Sequence, residues 1–225
     1  MDSVVVKVGG SLASHPEKLR GLCIRLSEIA KAHRIIMLPG GADFADTVRK
    51  LDKRFSLSPA VSHHMAILGM DQYGLMLSNL TPNSQLTTNI HDLQETSNAS
   101  KIPVLLPSAF LGNESDLDNS WDVTSDSIAA FLASKLHLKR AILVTDVDGI
   151  FECDPKKFPE AKLIGRLSAN ELLTINDRTA VDRFLPRLLL QLPLPIECFV
   201  VNGFYPERIE AILNNENAVC TLITT

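Results

Sequence analysis

Cysteine is scarce and unpatterned: Cys23, Cys153, Cys198 and Cys220 are scattered, and no C-x-x-C occurs. That excludes the common zinc and dithiol motifs and points to reduced thiols in a cytosolic protein. A sequon such as Asn79-Leu80-Thr81 then carries no glycan. A secretion signal is lacking, because the first strand begins almost at once and carries Lys7, so a cytoplasmic location is expected. No apolar run reaches the roughly 20 residues a membrane span needs. The stretch from Phe184 to Val201 is cut by Pro186, Arg187, Pro193, Pro195 and Glu197. An excess of one charge is also missing. The 22 Lys+Arg and 26 Asp+Glu leave a net −4, which gives no general attraction for nucleic acid or an anionic membrane. Neither G-x-x-x-x-G-K-S/T nor G-x-G-x-x-G is present, so P-loop and Rossmann readings lack their fingerprints. Asp146-x-Asp148-Gly149 looks like half a calcium loop, but position six would be Phe151 instead of glycine and position twelve Lys157 instead of glutamate. No metal ligand set is expected. Internal repeats, linkers and low-complexity stretches are absent, and 225 residues suffice for one domain spanning 1–225.

What is present begins at residue 4, with Val4-Val5-Val6-Lys7-Val8-Gly9-Gly10-Ser11. Gly9 and Gly10 have no Cβ, so a phosphate can come close to their N–H groups. A helix expected from about Pro16 to Ala32 would favour an anion at the same end, and Lys7 can reach that anion as a point charge. This is the chemistry of a nucleotide phosphate site, although a glycine turn between strand and helix also serves structure alone. Further strands are expected at Ile35–Leu38, Gln85–Thr88, Val104–Leu106, Ala141–Thr145, Ile196–Val201 and Cys220–Thr224. Helices are expected at Asp43–Leu51, Ser58–Leu80, Thr124–Leu136, Asn170–Leu173, Ala180–Leu192 and Glu207–Asn214. Repeated βα units predict an α/β fold, a mostly parallel sheet covered on both faces. Ligands then bind at the carboxyl ends of the strands. The glycine-bearing segments after Val8, Leu38 and Thr145 sit at such ends.

Several blocks occur in order: Val6-Lys7-Val8-Gly9-Gly10-Ser11, Pro39-Gly40-Gly41, Asp122-Val123-Thr124-Ser125-Asp126 and Thr145-Asp146-Val147-Asp148-Gly149-Ile150-Phe151. Asp154-Pro155 and Asn202-Gly203 follow. Together they resemble the amino acid kinase family over essentially the whole chain. The resemblance implies a three-layer αβα sandwich and an ATP-dependent phosphotransferase using magnesium. It implies that Lys7 contacts the transferring phosphoryl group, that Gly9, Gly10 and Ser11 supply donors, and that Gly40 and Gly41 face the acceptor. Asp126 would organise the cationic groups. Thr145, Asp146, Asp148, Gly149, Ile150, Phe151, Asp154 and Pro155 would flank ATP. Such roles suit phosphoryl transfer, which needs positioning and charge neutralisation more than covalent chemistry. The sequence departs from the family where many members carry a second lysine in a Gly-Gly-Met-x-x-Lys segment. Ala180-Val181-Asp182-Arg183-Phe184-Leu185-Pro186-Arg187 stands there, so Arg187 or Arg183 would be the cation, or both are surface charges.

Ser120–Ala130 and the segment from His63 to Gly74 are similar to one subgroup, the kinases of methanofuran biosynthesis. That resemblance implies (5-(aminomethyl)furan-3-yl)methyl phosphate as acceptor and its diphosphate as product. Isopentenyl phosphate kinase is the alternative acceptor class, and a non-catalytic nucleotide-binding or oxyanion-storage protein is the alternative function. Resemblance to isopentenyl phosphate kinase implies that His63 donates to the acceptor phosphate; a plain helix-face histidine, at His63 or His64, is the competing reading. A substrate amine would want a carboxylate, for which Asp43, Asp71 and Asp122 are candidates. Trp121 and Phe44 are candidates to pack on the furan ring. The family also implies a homo-oligomer acting on a small molecule.

Overall fold

A computed structural model describes residues 3–98, 101–111, 117–155, 157–175 and 179–225. Val4–Val8 forms β1 with all five positions buried, as a strand covered on both faces requires. The other strands are β2 (Ile35–Pro39), β3 (Ser84–Thr87), β4 (Ile102–Leu105), β5 (Arg140–Thr145), β6 (Arg166–Ser168), β7 (Glu197–Asn202) and β8 (Thr221–Thr224). They form an eight-stranded sheet in the order β3-β4-β2-β1-β5-β7-β8-β6. Neighbours run parallel except β7 and β8, which are antiparallel. The chain winds outward from β1 through β2 and then returns to β5 on the other side of β1. The β1/β5 boundary is therefore the switch point, where an open α/β sheet leaves a crevice beyond its strand ends.

Strand alternation sorts side chains between the two faces. On one face Val5, Leu143 and Val200 pack with Ile128 and Leu132 of α6 (Ser125–Lys135) and Leu189 of α8 (Leu185–Gln191). On the other face Val4, Val6, Val144 and Val201 pack with Leu22 and Leu26 of α1 (Pro16–Ile29) and Ile209 of α9 (Glu207–Leu213). The three expected layers are thus observed. Lys7 is in phase with Val5, so it points beneath α6. Val8 pairs with Pro39 and Val144, which brings the loops after β1, β2 and β5 to one level.

The remaining helices are α2 (Ala42–Phe55), α3 (Pro59–Leu80), α4 (Ile90–Asn98), α5 (Pro107–Leu111) and α7 (Ala169–Thr174). Three of the elements, α4, α5 and β6, are absent from the sequence expectation: α5 and β6 are too short to show a period, and α4 is mostly polar. The helix expected over Ala180–Leu192 is only α8, because Pro186 is accepted in a first turn but not inside a helix. Helix α2 continues past Leu51 through a charged last turn and stops at Ser56, which is left-handed with φ 50°.

Gly149 has φ +155°, and a Cβ there would run into the Thr221 side chain and lie 2.8 Å from Leu163 Cδ1. Gly149→Ala is expected to lower the unfolding free energy by about 2 kcal/mol or more. A urea melt checks this; an unshifted midpoint would contradict it.

Candidate active site

Lys7 comes from the end of β1 and Asp126 from the first turn of α6, and the lysine Nζ lies 2.6 Å from Asp126 Oδ1. Both are almost fully buried, at 5% and 6% exposure. Asp182 lies beside them in the extended segment before α8. Its Oδ2 accepts from Thr124 N and Oγ1 at 2.9 Å and from Ser127 N at 3.0 Å. Its Oδ1 accepts from Ser127 Oγ at 2.5 Å and Leu185 N at 2.9 Å, and its own N–H donates to Asp126 Oδ2 at 3.2 Å. One carboxylate thus caps the starts of α6 and α8 together. Burial, and then the neighbouring Asp126 charge, push the Asp182 carboxyl above the ordinary range. Sequence reasoning gave Asp182 no role. An aspartate three residues before a Leu-Pro helix start was the available signal.

Two of the four glycine amides are spent within the fold. Gly9 N–H donates to Val144 O at 2.8 Å and Gly40 N–H to Val8 O at 2.8 Å, so neither amide is open to a phosphate. A Cβ on Gly9 would sit 2.6 Å from Val144 O, and one on Gly40 would sit 2.7 Å from Gly10 N. A Cβ on Gly10 would run into the backbone of Ala42, which has φ 45°. The glycines let two loops pack backbone on backbone. Lys7 Nζ comes up beneath them, 3.6 Å from where a Gly9 Cβ would stand. The N–H groups of Gly10 and Ser11 open a 3-10 turn (Gly10–Ser14) and have no partner among the described residues. Tyr73 O–H donates to Gly9 O at 3.3 Å and pins the loop from inside.

Three adjoining clefts surround these loops. A cleft of about 290 Å³ is lined by Gly10, Ser11, Gly41, Asp43, His63 and Trp121, among others. A second, of about 300 Å³, has Ser11, Thr145, Asp146, Gly149, Phe151, Asp154 and Pro155 on its walls. A third, of about 630 Å³, contains Asp122, Asp126, Asp182, Arg183 and Arg187. Ser11 joins the first two, Thr124 and Arg49 join the first and third, and Thr179 and Ala180 join the second and third. Arg183 and Arg187 are exposed and make no ion pair among the described residues.

Other expected site residues stand elsewhere. Ile150 is 1% exposed in the core, with its N–H donating to Thr221 Oγ1 at 2.8 Å, so it does not wall the donor cleft. Asp148 pairs with Arg208 at 2.6 Å and accepts from Asn202 Nδ2 at 3.0 Å, which holds the β7 end rather than a ligand. Asp71 accepts from the N–H and hydroxyl of Ser108 in α5. Phe44 packs into the core on the α1 side and lines none of the three clefts. Trp121 reaches both the first and third clefts. Its Nε1 donates to Asp52 Oδ2 at 2.7 Å, and the Arg49 guanidinium lies 4.7 Å from its ring centre. Arg49 was also missed. Its Asp46-x-x-Arg49 spacing on α2 was visible, but nothing in the sequence says which side of α2 faces a cleft.

His63 is 8% exposed, whereas His64 is turned to the surface. The His63 Nδ1 lies 3.3 Å from the Ser120 carbonyl oxygen. A carbonyl only accepts, so Nδ1 carries the proton. Burial first, and His64 in addition, hold the imidazole below its ordinary value, against the opposing Ser120 bond. The other ring nitrogen, Nε2, has no partner among the described residues, and His63 lines the first cleft.

Comparison with known proteins agrees with this architecture. The profile of the amino acid kinase family matches residues 2–184. The (5-(aminomethyl)furan-3-yl)methyl phosphate kinase of Methanocaldococcus jannaschii is 36% identical over 221 residues, 97% of this chain and 96% of that one. The uridylate kinase of Thermoplasma acidophilum is 23% identical over 99% of this chain and 96% of its own. The crystal structure of uridylate kinase from Archaeoglobus fulgidus superimposes with a TM-score of 0.75 at 22% identity. It covers 99% of this chain and all of that one, a likeness of fold.

Two outcomes are expected from this geometry. Asp182→Ala leaves the Thr124, Ser127 and Leu185 donors without their acceptor and should cost roughly 3 kcal/mol of stability, measured by chemical denaturation. His63, with its folded pKa lowered, contributes stability that is present above its ordinary value of about 6.5 and lost as pH falls through the folded value. NMR titration should place its midpoint below that of an unfolded histidine. A midpoint at or above it would refute the buried neutral ring.

Proposed function

The chain belongs to the amino acid kinase family and is an ATP-dependent kinase of it, and we propose that its acceptor is (5-(aminomethyl)furan-3-yl)methyl phosphate, converted to the diphosphate in methanofuran biosynthesis. The observation that carries this reading is the 36% identity, sustained over 97% of the chain, to a kinase named for that acceptor. The first cleft supports it: Asp43, whose carboxylate is not paired with Arg49, lines it, which suits an acceptor bearing an amine better than a long apolar one such as isopentenyl phosphate.

In this reading ATP lies along the second cleft, against Thr145, Phe151 and Pro155, with its phosphates toward Ser11. Asp146 and Asp154 border the same cleft, and their carboxylate oxygens suit a magnesium ion brought with the nucleotide. When bound, that ion neutralises charge on the phosphate oxygens. The acceptor phosphate enters from the first cleft, beside the N–H groups of Gly10 and Ser11 and the positive end of α2. One of its oxygens attacks the γ-phosphorus, a new P–O bond forms, the bond to the bridging oxygen breaks, and ADP leaves. The attacking oxygen is already anionic, so no general base is needed. Lys7 neutralises charge building on the transferring group, and Asp126 holds the ammonium in place. Arg187 or Arg183 closes the third side with forked contacts to phosphate oxygens. The free thiols at Cys23, Cys153, Cys198 and Cys220 support a cytoplasmic setting. Exposed Val61, Leu68 and Leu75 on α3 support a homo-oligomer. Among the described residues no helix is long and apolar enough to cross a membrane.

A coupled ADP-release assay tests the acceptor. Turnover is expected with the aminomethylfuran phosphate and not with isopentenyl phosphate, acetylglutamate or UMP. Preference for another of these overturns the acceptor, and tight ATP binding without turnover on any of them favours a binding or storage role. In the same assay Lys7→Ala should lower turnover at least about tenfold, or roughly 1.4 kcal/mol of barrier. Near-normal turnover by a folded variant would refute the role of Lys7.

A further inference from the structure

We propose that His63 and Asp43 form the part of the acceptor cleft that selects a primary ammonium group, with His63 Nε2 acting as a hydrogen-bond acceptor. The proposal rests on the acceptor reading above and assigns its specificity to two side chains. It begins from the kinds of hydrogen-bonding group the cleft presents. Four ionisable or imidazole side chains line it: Asp43, Asp46 and Arg49 from α2 and His63 from α3. Arg49 Nη1 lies 2.9 Å from Asp46 Oδ1, so these two largely satisfy each other. The carboxylate of Asp43 has no partner among the described residues.

His63 is more than nine-tenths buried, and its Nδ1–H is committed to the Ser120 carbonyl at 3.3 Å. The neutral ring therefore offers its remaining nitrogen as a lone pair. Nε2 has no partner among the described residues. The charged neighbour that acts on this ring is His64 on its own helix, which faces solvent; Asp43, Asp46 and Arg49 share the cleft. A lone-pair nitrogen and a carboxylate both repel a phosphate and both want N–H donors. A hydroxyl would satisfy the ring but leave the carboxylate charge uncompensated. A primary ammonium supplies three donors and the missing positive charge, so it satisfies both. The phosphate end of the acceptor is then left to the Gly10 and Ser11 amides.

The test compares kcat/KM for (5-(aminomethyl)furan-3-yl)methyl phosphate with that for its des-amino analogue, (5-methylfuran-3-yl)methyl phosphate. The proteins are the natural protein, His63→Asn and Asp43→Asn. The asparagine amide can replace Nδ1 as donor to Ser120 while removing the Nε2 lone pair, so the fold contact survives. The natural protein is expected to prefer the amine by at least about a hundredfold, since a site built to bond a polar group rejects the analogue that lacks it. Each variant should lose about tenfold or more of that preference. If both acceptors are turned over but the preference is absent, or is unchanged in both variants, the inference falls and the acceptor reading stands. If neither furan phosphate is turned over, the acceptor reading falls and takes the inference with it. A second readout separates a specific from a merely structural role. Nitrogen NMR of His63 in the aminomethylfuran phosphate complex should show a neutral ring protonated at Nδ1, with the Nε2 resonance shifted on binding. An imidazolium in that complex overturns the proposal, because a charged ring would serve the phosphate instead.

Discussion

The Lys7–Asp126 ion pair is buried on both sides, and burying two charges is unfavourable unless they meet closely and their remaining valences are filled. Much of the site geometry follows from meeting that condition. Lys7 has to leave β1 on the α6 face, which fixes the phase of the strand. Asp126 has to stand in the first turn of α6, where it also accepts from Asp182 N–H. Asp182 in turn ties the starts of α6 and α8 together through Thr124, Ser127 and Leu185. The positive end of α6 is thus neutralised from within the protein. The start of α2 opens on the first cleft, with Asp43 in its first turn. The ion pair therefore does more than hold a lysine: it ties β1 to the start of α6.

The same economy of space explains the glycines. Parallel strands β1, β2 and β5 end at one level, so the loops leaving them compete for the same volume. Gly9 against Val144 O, and Gly40 against Gly10 N, show main chain packed on main chain. A side chain at these positions would separate the loops before it met any ligand. The donors that stay available, on Gly10 and Ser11, do so because a 3-10 turn begins there and its first amides have no earlier carbonyl to reach. Close packing of the loops and open donors beside them arise from one feature of the backbone.

Much of this was legible in the sequence. The run Val4–Val8 read as a strand with Lys7 near its end, but the sequence offered Lys7 only an anion to reach, not Asp126 as its partner. The order of the glycine and aspartate blocks identified the family. Side-chain direction was not legible wherever it depends on how helices are rotated. Asp43, Asp71 and Asp122 looked alike as candidates for an amine. Only Asp43 faces the first cleft, while Asp71 holds Ser108 and Asp122 lies on the third cleft. Ile150 sat in the middle of an expected nucleotide segment, yet the loop after β5 turns it into the core, where its N–H meets Thr221 Oγ1. Asp182 lay in plain view inside a stretch whose glycines were missing, but its acceptor role needs three segments brought together by the fold. His63 could be placed near the acceptor, but its donor or acceptor character depends on a carbonyl 57 residues away, that of Ser120.

The placement of these groups separates two tasks. Lys7, Asp126, Thr145 and the glycine loops arise from strand ends and from the helix turn packed over them, so altering them disturbs the sheet edge itself. Asp43, Arg49 and His63 project from the faces of α2 and α3, which pack on each other and not within the sheet register. Their side chains can change the charge and hydrogen-bonding character of the first cleft without moving a strand. In the proposed reading, a phosphoryl-transfer centre built on strand ends and an acceptor cleft built on helix faces can therefore vary independently. The balance between Asp43, Asp46 and Arg49 illustrates the consequence. One carboxylate is matched by the guanidinium and one is left over, so the helix face carries an unmatched negative charge in a site that must also admit a phosphate. That charge is Asp43, which is exposed and stands in the first turn of α2, where the helix's own positive end favours a carboxylate; in the proposed reading an ammonium on the acceptor adds a second partner.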